Sequence, residues 1–232
     1  MRPDHRLMSA VLKVGEGRGF AVKRRRYEDC IVITAAHCLP YLPPPHPCTY
    51  LEEITYRRLL GPLGPEPTVW AELLFADPIA NIAVLGVPDG QVLSEQADDY
   101  EALVASARPL AIAAQRDKCE ARVLSLGGCW REGRVEHRNG RLRFCPEEFI
   151  EPGMSGSPII NMSGKAIGVI SVSFRCPALV HSLSTAVLRS IRGARWLPGG
   201  DPTAERLAFH EVLGLICRRV ERFADVFAAR DV

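Results

Sequence analysis

Residues 30–38 read Cys-Ile-Val-Ile-Thr-Ala-Ala-His-Cys. A short run of β-branched residues leads into two alanines and a histidine, the pattern of a buried strand that ends in a turn. The small alanines let the backbone pack closely at that point, and His37 emerges at the strand end. Upstream, residues 8–14 and 19–23 have the same short apolar or alternating character, so residues 30–34 are the third of three successive strands. The charged stretch Lys-Arg-Arg-Arg-Tyr-Glu-Asp at 23–29 sits between the last two and reads as a solvated hairpin tip rather than an anion patch. Downstream, Leu-Pro-Tyr-Leu-Pro-Pro-Pro-His-Pro-Cys at 39–48 cannot be a helix or a central strand, because each proline lacks an amide donor. It reads as a surface loop.

Further strands follow at 68–75 and 81–87, closed by the turn Val-Pro-Asp-Gly at 87–90. Residues 91–107, polar and alanine-containing, read as a connection between two halves. In the second half, 121–126 is a strand that turns at Gly127-Gly128. Segments 133–137 and 141–145 pair across Arg138-Asn139-Gly140, whose Asn-Gly is a hairpin signal, and 158–161 and 165–173 are joined by Met162-Ser163-Gly164. Many short strands with frequent turns predict an all-β protein of barrels or sandwiches. The tail differs. Asp201 and Pro202 form a good helix start, and Phe209, Val212, Leu213, Ile216, Val220, Phe223 and Phe227 follow steps of three and four. That predicts an amphipathic helix over 202–229, which packs on the β domains or serves as a partner or dimer contact.

Composition narrows the class. With 47% hydrophobic and 24% charged residues, the 232-residue chain can bury a real core and is not disordered. A formal net charge of +2 predicts neither nucleic acid nor membrane as a partner. The apolar run at 166–174 is too short to span a bilayer, and the first twenty residues show no signal peptide. Eight cysteines in a chain of this length read as free thiols in a reducing, cytoplasmic setting rather than as a disulfide framework. Cys30, Cys38, His46 and Cys48 offer zinc-type ligands, but their spacing fits no finger, so no metal is expected.

A second motif, Glu-Pro-Gly-Met-Ser-Gly-Ser-Pro at 151–158, complements the first. Gly153 and Gly156 flank Ser155 and permit a tight turn without bulk beside a substrate. In such a turn the N–H groups of Gly153 and Ser155 can converge on one point, as a tetrahedral oxyanion requires. A serine hydroxyl is a poor nucleophile alone and needs a base within reach, and His37 is the candidate.

With both motifs in this order, the chain resembles the trypsin–chymotrypsin family of serine proteases, nearer its bacterial Deg-type branch than the digestive enzymes. The resemblance covers residues 8–192. It implies two six-stranded antiparallel β-barrels with the active site between them. The first, 5–90, would carry His37 and Asn81. A connection follows at 91–107. The second barrel, 108–196, would carry Ser155, and the long C-terminal α-helix would occupy 201–230. It further implies a serine endopeptidase that acylates Ser155, with His37 as general base, Gly153 and Ser155 as oxyanion donors, a protein or peptide substrate, and no cofactor. The third catalytic member of the family, normally Asp, matches Asn81 in Asp-Pro-Ile-Ala-Asn-Ile-Ala-Val-Leu at 77–85. Asn can accept a hydrogen bond from the histidine but supplies no charge, and its amide can hold the wrong tautomer, so activity would be weak. Asp77, four residues earlier and expected in the preceding loop, is the fallback. By the same resemblance Phe149 and Ile150 line the base of the substrate pocket and Ile170, Ser171, Val172 and Ser173 its opposite wall, favouring small or apolar side chains. The framework disulfides of the digestive enzymes are missing: Cys38 follows the histidine as it does there, but 17–22 contains no partner cysteine. The alternative is a pseudoprotease, the same fold used as a peptide-binding or interaction module.

Overall fold

A computed structural model describes residues 7–23, 30–43, 51–77, 81–113, 118–138, 141–146, 150–172 and 178–182. The first barrel consists of β1 (Val11–Val14), β2 (Gly17–Lys23), β3 (Cys30–Thr34), β4 (Thr55–Gly61), β5 (Val69–Asp77) and β6 (Ile82–Gly86). The second consists of β7 (Cys119–Leu124), β8 (Trp130–Arg138), β9 (Arg141–Pro146), β10 (Pro158–Asn161), β11 (Ala166–Val172) and β12 (Ala178–Ser182). Each set closes on itself, in the ring orders β1-β2-β3-β6-β5-β4 and β7-β8-β9-β12-β11-β10, so one antiparallel topology is used twice. Closure removes the exposed strand edges that would otherwise invite pairing with other chains.

Two strands escape the sequence pattern. β4 carries Arg57 and Arg58 in mid-strand, and its register against β5 shifts between Tyr56 and Leu60, so its alternation is broken. The shift coincides with a left-handed backbone at Arg58 (φ 51°). β12, Ala-Leu-Val-His-Ser, is a single five-residue run without alternation. The connection at 91–107 contains a helix, α2 (Ser94–Ser106), preceded in the chain by the short α1 (Leu51–Ile54). The inward residues of α2, Ala97, Tyr100 and Val104, follow helical spacing, but the acidic and polar residues between them dilute the stripe. The buried Tyr100 hydroxyl donates to the carbonyls of Cys30 (3.1 Å) and Leu85 (3.3 Å), which ties α2 to β3 and β6. The tail from residue 183 onward, with the expected helix at 202–229, lies outside the described residues.

Three apolar clusters organise the interior. One fills the first barrel and its α2 end, with Leu60, Leu73, Leu85 and Tyr100. One fills the second barrel, with Val123, Phe144, Met154 and Ile167. The third, with Phe20, Ile33, Val84, Leu110, Ile160 and Val169, draws on both barrels and glues them together. Full burial of side chains such as Phe20 contributes about 1.5–3 kcal/mol each, so this shared cluster fixes one barrel against the other. After α2 the chain runs along both: the Leu110 N–H donates to Ala21 O (2.8 Å), and the Ala166 N–H donates to Ala111 O (2.8 Å). Among the described residues no helix is long and apolar enough to cross a membrane.

Candidate active site

Local chain geometry places His37. β3 ends at Thr34, and Ala36–Cys38 form one 3₁₀ turn in which Ala36 and Cys38 are buried while His37 is exposed. Asn81 directly precedes β6 with a left-handed backbone (φ 53°), a conformation that Asn and Asp tolerate better than other residues with a side chain. Its carbonyl accepts the Ala36 N–H (3.2 Å), which locks the two turns together.

The Asn81 amide then makes four contacts with three partners. Oδ1 accepts the His37 backbone N–H (3.0 Å), and Nδ2 donates to the Ser171 carbonyl on β11 (2.7 Å). A backbone N–H can only donate and a carbonyl can only accept, so these partners assign which amide atom is which. His37 Nδ1 lies 2.8 Å from Nδ2 and 3.1 Å from Oδ1. In one tautomer Nδ1 accepts the second Nδ2 hydrogen. A neutral imidazole then carries its proton on Nε2, where a general base needs a lone pair. The Oδ1 contact supports the other tautomer without moving either side chain.

Ser155 is held opposite by its main chain. Its carbonyl accepts the Arg18 N–H (2.7 Å) and the Cys38 thiol (3.6 Å), which brings it beside the residue that follows His37. The loop around it is a tight double turn: Met154 N–H donates to Glu151 O (3.2 Å) and Ser157 N–H to Met154 O (3.0 Å), with φ of 89° at Gly153 and 83° at Gly156. The Gly156 N–H donates to Ile170 O (2.7 Å), and the Ile170 N–H donates to Ser157 O (3.0 Å), so β11 clamps the loop. Gly156 admits no side chain, because a Cβ there would collide with the main-chain oxygen of Arg18 and the Thr34 hydroxyl. Gly17 opens the stretch 17–22 that holds no partner cysteine for Cys38, and a Cβ there would strike the Cys38 sulfur and Ser155 O. Among the described residues Cys38 forms no disulfide, and neither do Cys30, Cys119, Cys129 and Cys145. Burial pushes the Cys38 thiol up from its ordinary pKa, so it stays a neutral packing group.

The remaining sequence candidates fall in three places. Ile150 and Ile170 are buried in the second barrel's cluster with Met154, and Ser171 is fully buried, its hydroxyl without a partner among the described residues. Val172 ends β11, while Phe149 and Ser173 lie outside the described residues. Asp77, expected in a loop, is instead the last residue of β5, paired with Ile82. That placement corrects the expectation: β5 runs two residues beyond the predicted strand because it pairs with β6 to the end. His46 and Cys48 of the zinc reading are outside the described residues. Thr34 and Arg18 were missed. Thr34 Oγ1 donates to Arg18 O (2.7 Å), the carbonyl that packs on Gly156. The available signal for Arg18 was a charged residue between two glycines in an otherwise small and apolar strand.

Residues 17–169 match the model of the trypsin-like peptidase domain. The chain belongs to that family. Among solved structures, the Rv3671c protease in an inactive form superposes with a TM-score of 0.51 at 16% identity, covering 82% of this chain and 92% of that one. The Ser343Ala mutant of Rv3671c from M. tuberculosis H37Rv, also inactive, gives 0.49 at 18% identity, covering 85% and 93%. The former likeness is one of fold. No curated protein matches the sequence.

Proposed function

We propose that the chain is a serine endopeptidase of this family, slow because Asn81 stands in the third catalytic position. The observation that carries the reading is the Asn81 amide, bonded at once to the His37 backbone, the His37 ring and β11 (Ser171), with the Ser155 main chain pinned next to Cys38. In this reading Ser155 Oγ attacks the scissile carbonyl and its proton passes to His37 Nε2. The N–H groups of Gly153 and Ser155 receive the developing oxyanion. His37 returns the proton to the leaving amine, and water hydrolyses the acyl-enzyme by the same route. The step needs Nε2 unprotonated, so it runs through the tautomer that places Nδ1–H against Oδ1. The residue six before Ser155 is Phe149, with no carboxylate to hold Lys or Arg, which supports small or apolar side chains in the substrate. Five cysteines outside any disulfide, among the described residues, support a reducing, cytoplasmic location.

The 2.8 Å Nδ2–Nδ1 contact favours a second reading, the pseudoprotease that binds peptides without cleaving them. A fluorophosphonate probe separates the two, since it labels only an activated serine. Labelling that disappears in Ser155→Ala and falls in His37→Ala is the expected outcome. No labelling at neutral or alkaline pH favours the binding module, and labelling indifferent to His37→Ala removes His37 from the mechanism.

A further inference from the structure

Arg18 is 6% exposed, although β2 is otherwise built of small or apolar residues up to Lys23. Its guanidinium crosses from the first barrel to the second, where Nη1 donates to Leu124 O (2.6 Å) and Nη2 to Ser125 O (3.1 Å). Those carbonyls begin the turn between β7 and β8. The same turn is held from the other side by Glu151, whose carboxylate accepts the Leu126 N–H and an Arg131 N–H, each at 3.4 Å. Leu126 in turn lies 3.8 Å from the position of a Cβ on Gly153. The main chain of Arg18 completes the circuit, donating from its N–H to Ser155 O and pressing its carbonyl on Gly156.

We infer that Arg18 is a positioning residue for the loop at 153–157, its side chain fixing the turn behind Gly153 while its main chain fixes Ser155. A buried guanidinium is costly unless its charge is opposed and its hydrogens are accepted. Two carbonyls accept here, and Glu151 supplies the opposing charge: burial lowers the affinity of Arg18 for its proton, and Glu151 acts in the opposite sense. Glu151 opens the nucleophile loop, so the compensating charge lies on the element being positioned. The guanidinium holds its N–H donors in a rigid, weakly hydrated planar fork, whereas a lysine ammonium is a compact, strongly hydrated charge, so lysine is a poor replacement.

The kinetic arm of the test rests on the proposed peptidase reading, and the exchange arm does not. Arg18→Met, Arg18→Lys and Glu151→Gln would be compared with wild type below each variant's melting point, per folded molecule. Hydrogen exchange of the peptide covering 151–157 is expected to quicken at least tenfold in Arg18→Met, less in Arg18→Lys, with the β3 and β6 peptides unchanged. Fluorophosphonate labelling of Ser155 is expected to slow about a hundredfold, the loss that a misplacement near 1 Å causes, while the affinity of a peptide for a Ser155→Ala background stays within twofold. If Arg18→Met does not fold, Glu151→Gln decides, with a severalfold loss on both readouts. Exchange at 151–157 and labelling both within twofold of wild type would overturn the inference, even with a lower melting temperature. If wild type itself is not labelled, the peptidase reading fails, and the exchange result alone decides the role of Arg18.

Discussion

Asn81→Asp is expected to raise the labelling and hydrolysis rates while lowering stability, and the structure separates the two effects. The variant keeps the left-handed backbone at 81, which Asp tolerates as Asn does. It keeps an oxygen for the His37 backbone N–H. What changes is the atom 2.8 Å from Nδ1 and 2.7 Å from Ser171 O, which becomes an acceptor. Toward His37 the exchange is favourable: Nδ1 must now carry the proton, Nε2 is freed as a base, and the carboxylate stabilises the imidazolium. The reverse exchange in a serine protease triad costs about 10⁴ in turnover, which at about 1.36 kcal/mol per decade is roughly 5.4 kcal/mol of barrier. Toward Ser171 the exchange is unfavourable, since two acceptors face each other and a buried carbonyl loses its donor, at about 1–3 kcal/mol. That second cost is present in free enzyme and transition state alike, so it lowers the melting temperature rather than the rate. Relaxation that moves the carboxylate away from Ser171 O weakens its hold on Nδ1, so the gain should fall between about 10² and the full 10⁴. Second-order fluorophosphonate labelling and peptide hydrolysis, alongside a thermal melt, read the two effects separately. A folded Asn81→Asp protein whose rates are equal to or below wild type would refute the tautomer argument and remove Asn81 from the third position.

Three further outcomes test the frame around the site. Gly156→Ala should abolish labelling of Ser155 and lower the melting temperature, because the added Cβ meets main chain at Arg18 O and the backbone is left-handed (φ 83°); wild-type labelling would show that the loop is not held by Arg18. Cys38 should resist iodoacetamide in the native protein while the exposed Cys129 reacts. Because folding raises the Cys38 pKa, the native state retains a proton that the unfolded chain releases. Stability from this group is therefore complete below the ordinary thiol pKa of about 8.5 and falls as pH rises beyond it. In Cys38→Ala the alkaline decline in melting temperature should be shallower, and an unchanged slope would contradict the burial argument.

How far the sequence reads into this structure depends on whether one segment holds the information. Cys30–Thr34 with the turn at His37, and the Ser155 loop with its two left-handed glycines, are specified locally by strand propensity and by glycine. They were legible, and so was the Asn-Gly link that joins Arg138 to Arg141 in the β8–β9 register. β4 was not, because its paired arginines are tolerated only through a register shift against β5 that no local pattern encodes. α2 was half-legible: Ala97, Tyr100 and Val104 have the spacing, but the hydroxyl of Tyr100 finds its acceptors 70 and 15 residues away. The same holds for Arg18. Its charge in a buried strand is visible in the sequence, but the carbonyls that accept its hydrogens lie more than a hundred residues downstream.

In the proposed mechanism Asn81 is the better structural residue at its position and the poorer catalytic one, and both properties have the same origin. An amide presents one acceptor and one donor side by side, and its surroundings offer a donor at the His37 backbone and an acceptor at Ser171 O. Both are satisfied at once, and the Ser171 contact ties the first barrel to β11 of the second, the strand that also clamps Gly156. A carboxylate would satisfy one and oppose the other. The hydrogen left over on the amide faces His37 Nδ1 at 2.8 Å, where it competes with the Nδ1–H to Oδ1 arrangement that the base requires. The tie between the barrels and the brake on the base are thus two bonds of one NH₂ group. A substitution at 81 that releases the brake by removing this NH₂ group must also loosen the tie.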